Sequence, residues 1–431
     1  MTSTTPSPPS KPLTIAVAGG GIGGLALTIG LLKQGLSVHL YESAPAFAEI
    51  GAGVSFGPNA LRAMSLVDPA VRAGYDKRAT SNGWVEKKET WFDFRHGMRD
   101  DKVGSHIAGV VASGTGQSSV HRAHFLDELV KLVPDGCAHF GKRVEEVEEL
   151  EMEGAGVRIR FHDGTTAEAS ALIGCDGVKS RVRQIVLGER APAAHAAFTG
   201  KYAYRGLVPM EKAVGLLGEE LARNSQMYLG YHGHVLTFPI EKGKTMNVVA
   251  FQSKTDGNWE DERWVLPMKK EDMFRDFEGW GESVRKILSL MEKPDVWALF
   301  DHPPAETYYK GRICLLGDSA HASTPHQGAG AGMALEDAFV LSNLLGSVHK
   351  PEGIESAFRA SDAVRRPRSQ NLVTTSRTAG LLYDFEGEGI GDDEERIRED
   401  LIQRYQWIWE ENLDRELSEA KALLGQRAKL V

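Results

Sequence analysis

The chain has few cysteines and no excess of basic charge, and each shortage excludes a class of protein. Cys137, Cys175 and Cys314 are the three cysteines in 431 residues, an odd number at wide separations. Such spacing gives neither a disulfide framework nor a zinc site, and it predicts a reducing compartment, the cytoplasm. The formal net charge of -9 argues against nucleic acid or an anionic membrane as partner, because both select clustered Lys and Arg. We expect a small-molecule substrate.

The first twelve residues, "MTSTTPSPPSKP", lack the apolar core of a signal peptide. Their Ser, Thr and Pro content predicts a disordered tail over residues 1–12. Hydrophobic residues at 42% and charged residues at 25% are ordinary values for a globular protein. The length indicates two or three domains, or one composite domain with an insertion.

Residues 13–32 carry no charge, which is the length of a membrane-spanning helix, yet they include six glycines. A short apolar run, 15–18, stops at the glycines, and apolar residues then recur at helical spacing. A second apolar run follows over residues 38–41. The pattern predicts a strand, a tight turn, a helix and a second strand, rather than a membrane span.

The glycine turn matches G-x-G-x-x-G, the fingerprint of a dinucleotide-binding fold. Gly19 permits the turn, Gly21 lets the backbone approach a pyrophosphate, and Gly24 lets the helix pack on the strand; Gly23 lies in the same turn. The helix N-terminus presents free N–H groups to the phosphates. Glu42, at the end of the second strand, is placed to bind the hydroxyls of an adenosine ribose.

A second glycine-rich segment lies near the far end of the chain. An apolar strand over residues 313–316 ends at Gly317-Asp318, and a helix begins after Pro325 within "GAGAG". An acid at a strand end can bind ribose or ribitol hydroxyls, and a glycine-rich helix start can face an anion. The residues of this segment expected at the cofactor are Asp318, Gly328, Gly330, Ala331 and Gly332.

Two other chemistries are disfavoured in the same segment. His321 and His326 suggest a metal site, but no nearby carboxylate or cysteine completes a ligand set, so we expect no metal. "GDSAH" lacks the Gly-x-Ser-x-Gly elbow of a hydrolase.

Three motifs together resemble the single-component FAD-dependent aromatic hydroxylases, the para-hydroxybenzoate hydroxylase-like family. These are "GGGIGG" with Glu42, "GCDGVKSRVR" and "GDSAHASTPHQGAGAGMALEDA", and they bracket nearly the whole chain. "EIGAGVSFGPNA" and "TPHQGAGAG" are most similar to the fungal salicylate hydroxylase branch. The resemblance implies an α/β fold, with a Rossmann-like FAD-binding domain, an inserted antiparallel-sheet substrate domain and a C-terminal helix.

The resemblance also implies the reaction and further cofactor residues. Asp176 lies in the motif that lines the cleft where flavin and nicotinamide meet, Arg122 matches an arginine placed against FAD, and Gly53 belongs to the branch-specific stretch. Without the resemblance, Arg122 is equally an ordinary surface arginine at the start of a helix. NAD(P)H reduces FAD, molecular oxygen forms a C4a-hydroperoxyflavin, and the distal oxygen is transferred to the ring. The chain has no second βαβ fingerprint, so NADH or NADPH is expected to bind transiently; salicylate hydroxylase-like members suggest NADH.

Alternating strands between the motifs predict where the substrate lies. The expected domains are a discontinuous FAD-binding domain (13–80, 105–185 and 301–380), a substrate domain (81–104 and 186–300) and a C-terminal helical segment (385–431). Within "GVRIRFHDGTTAEA" the pattern predicts a hairpin that turns at Asp163-Gly164.

A phenol hydroxylase needs a dry pocket and a cation that favours the anionic form of its substrate. Arg205, between two tyrosines on a predicted strand, is our candidate, although an exposed strand arginine is the alternative.

Related enzymes place a histidine at the position of His234, which could otherwise be a histidine satisfied at a strand start. Tyr231 or Tyr228 could supply a phenol hydroxyl. Phe238 stands where dearomatising relatives have a tyrosine.

The sequence therefore predicts a phenol monooxygenase, with salicylate converted to catechol by decarboxylation as the expected reaction. A dearomatising or epoxidising enzyme of secondary metabolism, a flavoprotein that binds FAD without turnover and a plain NAD dehydrogenase stay open as alternatives.

Apolar residues repeat every four positions from Leu401 to Leu417, a stripe that packs on the body of the protein or forms a dimer contact. The protein is expected to be a monomer or a homodimer.

Overall fold

The computed structural model describes most of the chain, with short gaps. The described residues are 13–47, 53–98, 102, 104–150, 156–254, 256–267, 269–292 and 294–427. The predicted tail over residues 1–12 lies outside them.

The described part of the chain forms twenty strands and fifteen α-helices. The strands are β1 (Thr14–Ala18), β2 (Ser37–Glu42), β3 (Gly53–Ser55), β4 (Thr80–Ser81), β5 (Thr90–His96), β6 (His106–Val111), β7 (Ser118–His121), β8 (Ala138–Phe140), β9 (Val144–Glu149), β10 (Val157–Phe161), β11 (Thr166–Ala169), β12 (Ala171–Gly174), β13 (Ala197–Pro209), β14 (Gln226–Gly230), β15 (Gly233–Ile240), β16 (Thr245–Ser253), β17 (Val265–Pro267), β18 (Asp295–Asp301), β19 (Tyr309–Lys310) and β20 (Ile313–Leu315). The helices are α1 (Ile22–Lys33), α2 (Pro58–Val67), α3 (Pro69–Arg78), α4 (Arg122–Val130), α5 (Arg181–Leu187), α6 (Met210–Leu217), α7 (Glu219–Arg223), α8 (Lys270–Asp276), α9 (Glu282–Ser289), α10 (Asp318–His321), α11 (Gly330–Gly346), α12 (Ile354–Tyr383), α13 (Glu394–Arg404), α14 (Gln406–Trp409) and α15 (Leu413–Arg427).

A six-stranded, mainly parallel sheet forms the first layer, in the order β19-β20-β12-β1-β2-β8. β1 is central and pairs in parallel with both β12 and β2. The carboxyl ends of β1, β12 and β20 therefore meet at one edge, which is where ligands bind in open α/β sheets. The uncharged run 13–32 is divided between β1 and α1, as the glycine pattern predicts. In the described ranges no helix has the length and apolar character to cross a membrane.

An eight-stranded sheet forms the second layer, in the order β17-β18-β13-β16-β15-β14-β5-β6. Its pairs are antiparallel except that between β14 and β5. One face packs on α6, α8 and α9 through residues such as Tyr204, and the opposite face carries Ala203 and Phe251 toward the first layer. Side chains alternate along each strand, so one strand serves both faces.

Two details of the strand pairing concern the segments of the predicted domains. β6, which the sequence places in the FAD-binding domain, pairs with β5 in the eight-stranded sheet. β9, β10 and β11 form a small separate sheet, in which β10 and β11 pair antiparallel around the turn at Asp163-Gly164. Gly164 has φ +81°, the left-handed conformation that such a turn requires.

The C-terminal segment contains three helices where its stripe suggests one. α13, α14 and α15 follow one another with short breaks, and Leu401, Tyr405 and Leu413 are buried against the body of the protein. Residues 384–393 connect α12 to these helices and include Phe385, which has φ 54°. The body of the protein itself therefore covers these apolar residues of the C-terminal stripe.

A buried ion cluster joins the C-terminal helices to the first layer. Arg365 on α12 pairs with Asp337 at 2.7 Å, with Glu336 at 2.8 Å and with Glu416 at 2.9 Å. Those carboxylates belong to α11 and α15. A buried arginine that satisfies three carboxylates costs much more to remove than an exposed ion pair.

The Arg365→Met variant tests this role. It is expected to lower the free energy of unfolding by roughly 3–5 kcal/mol, because buried carboxylates lose their cation. Urea denaturation followed by circular dichroism measures the change. The control is Arg366→Met, since Arg366 pairs with the partly buried Asp362 alone and should lose at most about 1 kcal/mol. Equal losses of unfolding free energy in the two variants would contradict the stabilising role of Arg365.

Candidate active site

A cavity of about 380 Å³ lies between the two layers. Its wall combines the turn after β1, the loop between β20 and α11, and the inner face of the eight-stranded sheet. The cavity is thus at the carboxyl ends of the parallel strands, where the sequence predicts the cofactor.

The glycine turn has the geometry that a pyrophosphate requires. Gly19 has φ +107°, and a Cβ on it would lie 2.2 Å from the Cys175 carbonyl oxygen. A Cβ on Gly24 would lie 1.9 Å from the Gly19 carbonyl oxygen, so α1 packs directly on the turn. A Cβ on Gly21, by contrast, would meet no atom within 4 Å. Gly21, Gly23 and Gly24 line the cavity, and the open space at Gly21 is available to a phosphate group.

Glu42 lies beside this turn. Its Oε2 accepts a hydrogen bond from the Gly20 N–H at 2.6 Å, and its Oε1 accepts one from the Ala44 N–H at 2.7 Å. The carboxylate is therefore fixed against the glycine turn at the end of β2, although it is not part of the described cavity wall.

Asp176 has a different placement from that implied by the resemblance. Its carboxylate accepts hydrogen bonds from the N–H groups of Arg181 and Val182, and from the Ser180 hydroxyl at 2.5 Å. These bonds hold the start of α5, while the neighbours Cys175 and Gly177 line the cavity. Asp176 shapes the wall without being part of it, and burial raises the pKa of its carboxyl.

The loop between β20 and α11 forms another part of the wall. Asp318, Gly328, Gly330 and Ala331 line the cavity, and α11 begins at Gly330. Gly328 is left-handed with φ +62°, and a Cβ on it would lie 3.2 Å from the Trp91 ring. Gly332 does not line the described wall. A Cβ on it would lie 3.0 Å from Ala60, so the absence of a side chain lets α11 pack closely on α2.

Arg122 and Gly53 enter the cavity from the small sheet of β3, β7 and β4 and its following helix. Arg122 is the first residue of α4, and Phe125, Leu126 and Leu129 of that helix are buried as the sequence predicts. The Gly53 N–H donates to Asn247 Oδ1 at 3.1 Å, and a Cβ on Gly53 would lie 2.7 Å from Phe238. The missing side chain of Gly53 thus lets this segment approach the inner face of the eight-stranded sheet.

Arg205 is a cation without a carboxylate partner. Within the described residues, neither a hydrogen bond nor an ion pair is made by its guanidinium, and its buried Nε has no hydrogen-bond partner. The guanidinium lies over the Trp297 ring, 4.7 Å from its centroid. Burial, aided by the charge of Arg122, lowers the pKa of Arg205 to about 10. Arg205 is therefore charged at neutral pH and faces the cavity. This placement disfavours the alternative interpretation, in which Arg205 is an ordinary exposed arginine on a strand.

The structure places His234 and Tyr231 away from the described wall. His234 is fully buried behind Phe251, on which its ring stacks at 4.3 Å, and its Nδ1 lies 2.6 Å from Asp384 Oδ1. Tyr231 is 42% exposed and donates its hydroxyl hydrogen bond to Asp392. The Tyr231 hydroxyl is thus engaged at the surface, and its catalytic role stays a prediction. Tyr228 packs on the other face of the sheet.

Sequence reasoning missed three polar groups on the cavity wall. Thr324, His326 and Gln327 line the cavity, and each has a buried side-chain nitrogen or oxygen without a hydrogen-bond partner in the described chain. Burial holds the pKa of His326 well below its usual range, so the ring is neutral. The signal was present in "TPHQ", where polar side chains directly precede a glycine-rich helix start. His321 instead pairs with Asp337 at 2.6 Å.

Much of the remaining cavity wall is apolar. Trp91, Phe92, Leu236, Phe238 and Phe251 come from neighbouring strands of the eight-stranded sheet. Such a wall accepts a flat ring and keeps water away from it. In the described part of the chain no cluster of three or more His, Cys, Asp or Glu residues could hold a metal ion.

Comparison with known proteins gives the class to which this site belongs. Residues 292–376 match the model of the FAD binding domain family. The chain is 45% identical over 418 residues to the 6-methylsalicylate 1-monooxygenase atA of Aspergillus terreus, covering 96% of this chain and 93% of that protein. It is 42% identical over 430 residues to a salicylate hydroxylase of Pseudomonas putida, covering 96% of each.

The fold agrees with these similarities. The structure of a salicylate hydroxylase substrate complex matches with a TM-score of 0.85 at 39% identity, over 95% of this chain and 98% of that one. The site and fold are those of a FAD-dependent monooxygenase. The chain belongs to the family of FAD-dependent aromatic monooxygenases that includes the salicylate hydroxylases. Its cofactor is FAD, and the expectation of a Rossmann-like FAD-binding domain with a substrate domain is confirmed.

Two glycine variants separate folding from cofactor binding. Gly21→Ala should leave the stability of the FAD-free protein unchanged, because its Cβ enters open space. It should weaken FAD binding by about 1–3 kcal/mol through overpacking against the phosphates. Gly24→Ala should also lower the melting temperature of the FAD-free protein, because its Cβ meets the Gly19 carbonyl.

Thermal unfolding of the FAD-free protein and titration with FAD, followed by flavin fluorescence, make this comparison. Wild-type FAD affinity in Gly21→Ala would contradict the placement of the pyrophosphate at the turn.

Proposed function

We propose that the protein hydroxylates a salicylate-like aromatic acid, with salicylate as the expected substrate and catechol as the product. The observation that carries this is Arg205, a cation on the cavity wall that the chain itself leaves without a carboxylate. The carboxylate of a benzoic acid forms the ion pair that the protein itself does not provide to Arg205. The apolar wall of the cavity accepts the aromatic ring of the same molecule. The names of the two relatives, a salicylate hydroxylase and a 6-methylsalicylate 1-monooxygenase, support the same class of substrate.

The cofactor fits the residues that surround the cavity. We place the pyrophosphate at Gly21 in the glycine turn, the adenosine ribose at Glu42 and the ribitol at Asp318. The start of α11 at Gly330 then faces the flavin ring, where the free N–H groups of a helix start stabilise negative charge. We also assign Arg122, which lines the same cavity, to cofactor binding.

The flavin, when bound and reduced by NAD(P)H, supplies the activated oxygen atom derived from molecular oxygen. The chain's own residues hold the substrate and protect the reaction from water. Arg205 fixes the carboxylate, and the ring packs against Phe238 and Phe251 on the inner face of the sheet. The neutral ring of His326 lies on the wall as an acceptor for the phenolic proton, and a phenolate activates the ring carbon that bears the carboxylate.

Decarboxylation follows when the ring carbon that bears the carboxylate is hydroxylated, because this carbon then expels the carboxylate as carbon dioxide. One salicylate anion, one NADH, one oxygen molecule and two protons give one catechol, one carbon dioxide, one water and one NAD⁺. A dearomatising enzyme would retain the hydroxylated, non-aromatic product. Phe238 lines the cavity without a hydroxyl to direct such a product, and this favours the decarboxylative reaction.

The test incubates the FAD-loaded protein with NADH, oxygen and salicylate, followed by product identification by mass spectrometry. Catechol in equal amount to NADH consumed is the expected result, and 6-methylsalicylate should give 3-methylcatechol. NADPH is run in parallel to identify the preferred nucleotide. NADH consumption that yields hydrogen peroxide alone with both acids would contradict the proposed substrate class.

Arg205→Met tests the carboxylate site. Loss of the cation should weaken salicylate binding by roughly 10- to 100-fold, because a hydrogen bond to a charged group contributes about 1.5–3 kcal/mol. Phenol, which lacks the carboxylate, is the matched ligand and should change little. Titration of the oxidised FAD-bound protein, followed by the flavin absorbance, measures both. Equal weakening for both ligands would place the carboxylate elsewhere.

The pKa of Arg205 predicts a pH dependence. The cation is present below its pKa of about 10 and is lost above it, so salicylate affinity should be constant near neutrality. As the pH rises through 10 the dissociation constant should increase, approaching about tenfold per pH unit by proton linkage. Arg205→Met should lack this dependence, which separates it from titration of the flavin. An unchanged pH profile in Arg205→Met would contradict the assignment.

A further inference from the structure

The short helix α10 is held at both ends by one carboxylate of α11. Asp337 Oδ2 accepts a hydrogen bond from the Gly317 N–H at 3.2 Å, just before α10, and lies 2.6 Å from His321 Nε2, where α10 ends. Burial opposes ionisation of Asp337, but His321 and Arg365 hold the pKa of its carboxyl below its usual range. Because α10 begins with Asp318, which lines the cavity, Asp337 fixes the backbone that carries this cavity residue.

The backbone at Gly317 is closely packed on the same helix. Its φ is +66°, in the left-handed region that favours glycine, and a Cβ on it would lie 3.1 Å from the Cβ of Ala334. Ala334 and Asp337 are three residues apart on α11, so they lie on one face of that helix. One face of α11 therefore sets the start of α10 by packing and by a hydrogen bond.

The other oxygen of Asp337 leads away from the cavity. Asp337 Oδ1 accepts a hydrogen bond from Arg365 Nε at 2.7 Å. Nη1 of the same guanidinium donates to both carboxylate oxygens of Glu416 on α15, at 3.0 and 2.9 Å. Arg365, Asp337 and Glu416 are all buried. A continuous series of hydrogen bonds therefore joins α15 to the start of α10.

In the part of the chain that the structure describes, α15 does not contribute to the cavity wall. Its Leu413 and Ala420 are buried in the core of the first layer, together with Leu335 of α11. The opposite side of α15 is exposed, for example at Glu419. An element with exposed backbone and few buried contacts opens locally at a lower free energy than the central core. Docking of α15 can therefore influence the cavity only through its contacts with α11 and α12.

We propose that Glu416 is a positioning residue for FAD, which docks α15 on the buried ion cluster and thereby holds Asp318 where the cofactor binds. The proposal rests on the proposed function, which places the ribitol of FAD at Asp318. With α15 docked, the backbone at Asp318 is ordered before FAD binds, so less conformational entropy is lost on binding. The coupling is reciprocal: the factor by which docking raises FAD affinity is the factor by which bound FAD favours docking.

Titration of the FAD-free protein with FAD, followed by flavin fluorescence, measures one direction of this coupling. Glu416→Ala should weaken FAD binding by at least about fivefold, the lower end of typical coupling, because Arg365 Nη1 loses the Glu416 oxygens. Glu419→Ala is the matched control on the same helix, since Glu419 pairs with the exposed Arg415. It should keep wild-type FAD affinity.

Hydrogen exchange of the wild-type protein, with and without FAD, measures the other direction and requires no variant to fold. Bound FAD should slow exchange in α15 by at least about fivefold. The reference is α13, which contacts β6 through Arg398 and should be slowed less. In Glu416→Ala the slowing in α15 should fall to that in α13, whereas a variant that is merely less stable would keep it.

Asp318→Ala separates the two proposals. It should weaken FAD binding, and adding Glu416→Ala to it should weaken binding much less than Glu416→Ala does alone, because the two residues act on one contact. Wild-type FAD affinity in Glu416→Ala, additive losses in the double variant, or equal slowing of α15 and α13 in the wild-type protein would overturn the coupling alone. Wild-type FAD affinity in Asp318→Ala would contradict the placement of the ribitol, and the coupling with it.

Discussion

The charge of Arg205, left without a carboxylate of the protein's own, is the constraint on which the account of the site depends. A cation held on a largely apolar wall costs free energy that an anionic ligand recovers. Arg205 keeps its charge because Trp297 supports the guanidinium and because the lowered pKa remains far above neutrality. In our proposal the site therefore selects an acid, and the apolar sheet face requires that acid to be flat.

The two layers divide the chemistry between them. In our account the glycine turn of the parallel sheet binds the cofactor phosphates through backbone groups, while the carboxylates of Glu42 and Asp318 bind its hydroxyls. In the same account the eight-stranded sheet supplies the substrate wall, and helices bury its other face. The ion cluster at Arg365 joins α11, whose start faces the flavin ring in our account, to the C-terminal helices. Those helices follow the connector that carries Asp384, the hydrogen-bond partner of His234.

The sequence predicts the cofactor half of the site much better than the substrate half. The turn at Gly19 to Gly24 is local, since strand, turn and helix lie within twenty residues and each glycine has its own steric reason. Alternation on β13 also predicts that Arg205 and Ala203 share a face. The pairing of His234 with Asp384 spans 150 residues and depends on how α12 ends, which no local pattern encodes. The same is true of His326, whose neighbours come from three separate elements, and of Tyr231, whose strand ends before the hydroxyl can reach the cavity.

The central claim is that Arg205 binds the substrate carboxylate rather than the cofactor. A crystal structure of the FAD-bound protein with salicylate tests it most directly. The account predicts a carboxylate oxygen at hydrogen-bond distance from the Arg205 guanidinium, with the ring between Phe238 and His326. A guanidinium bonded to the flavin ring, with the carboxylate held by another group, would contradict it.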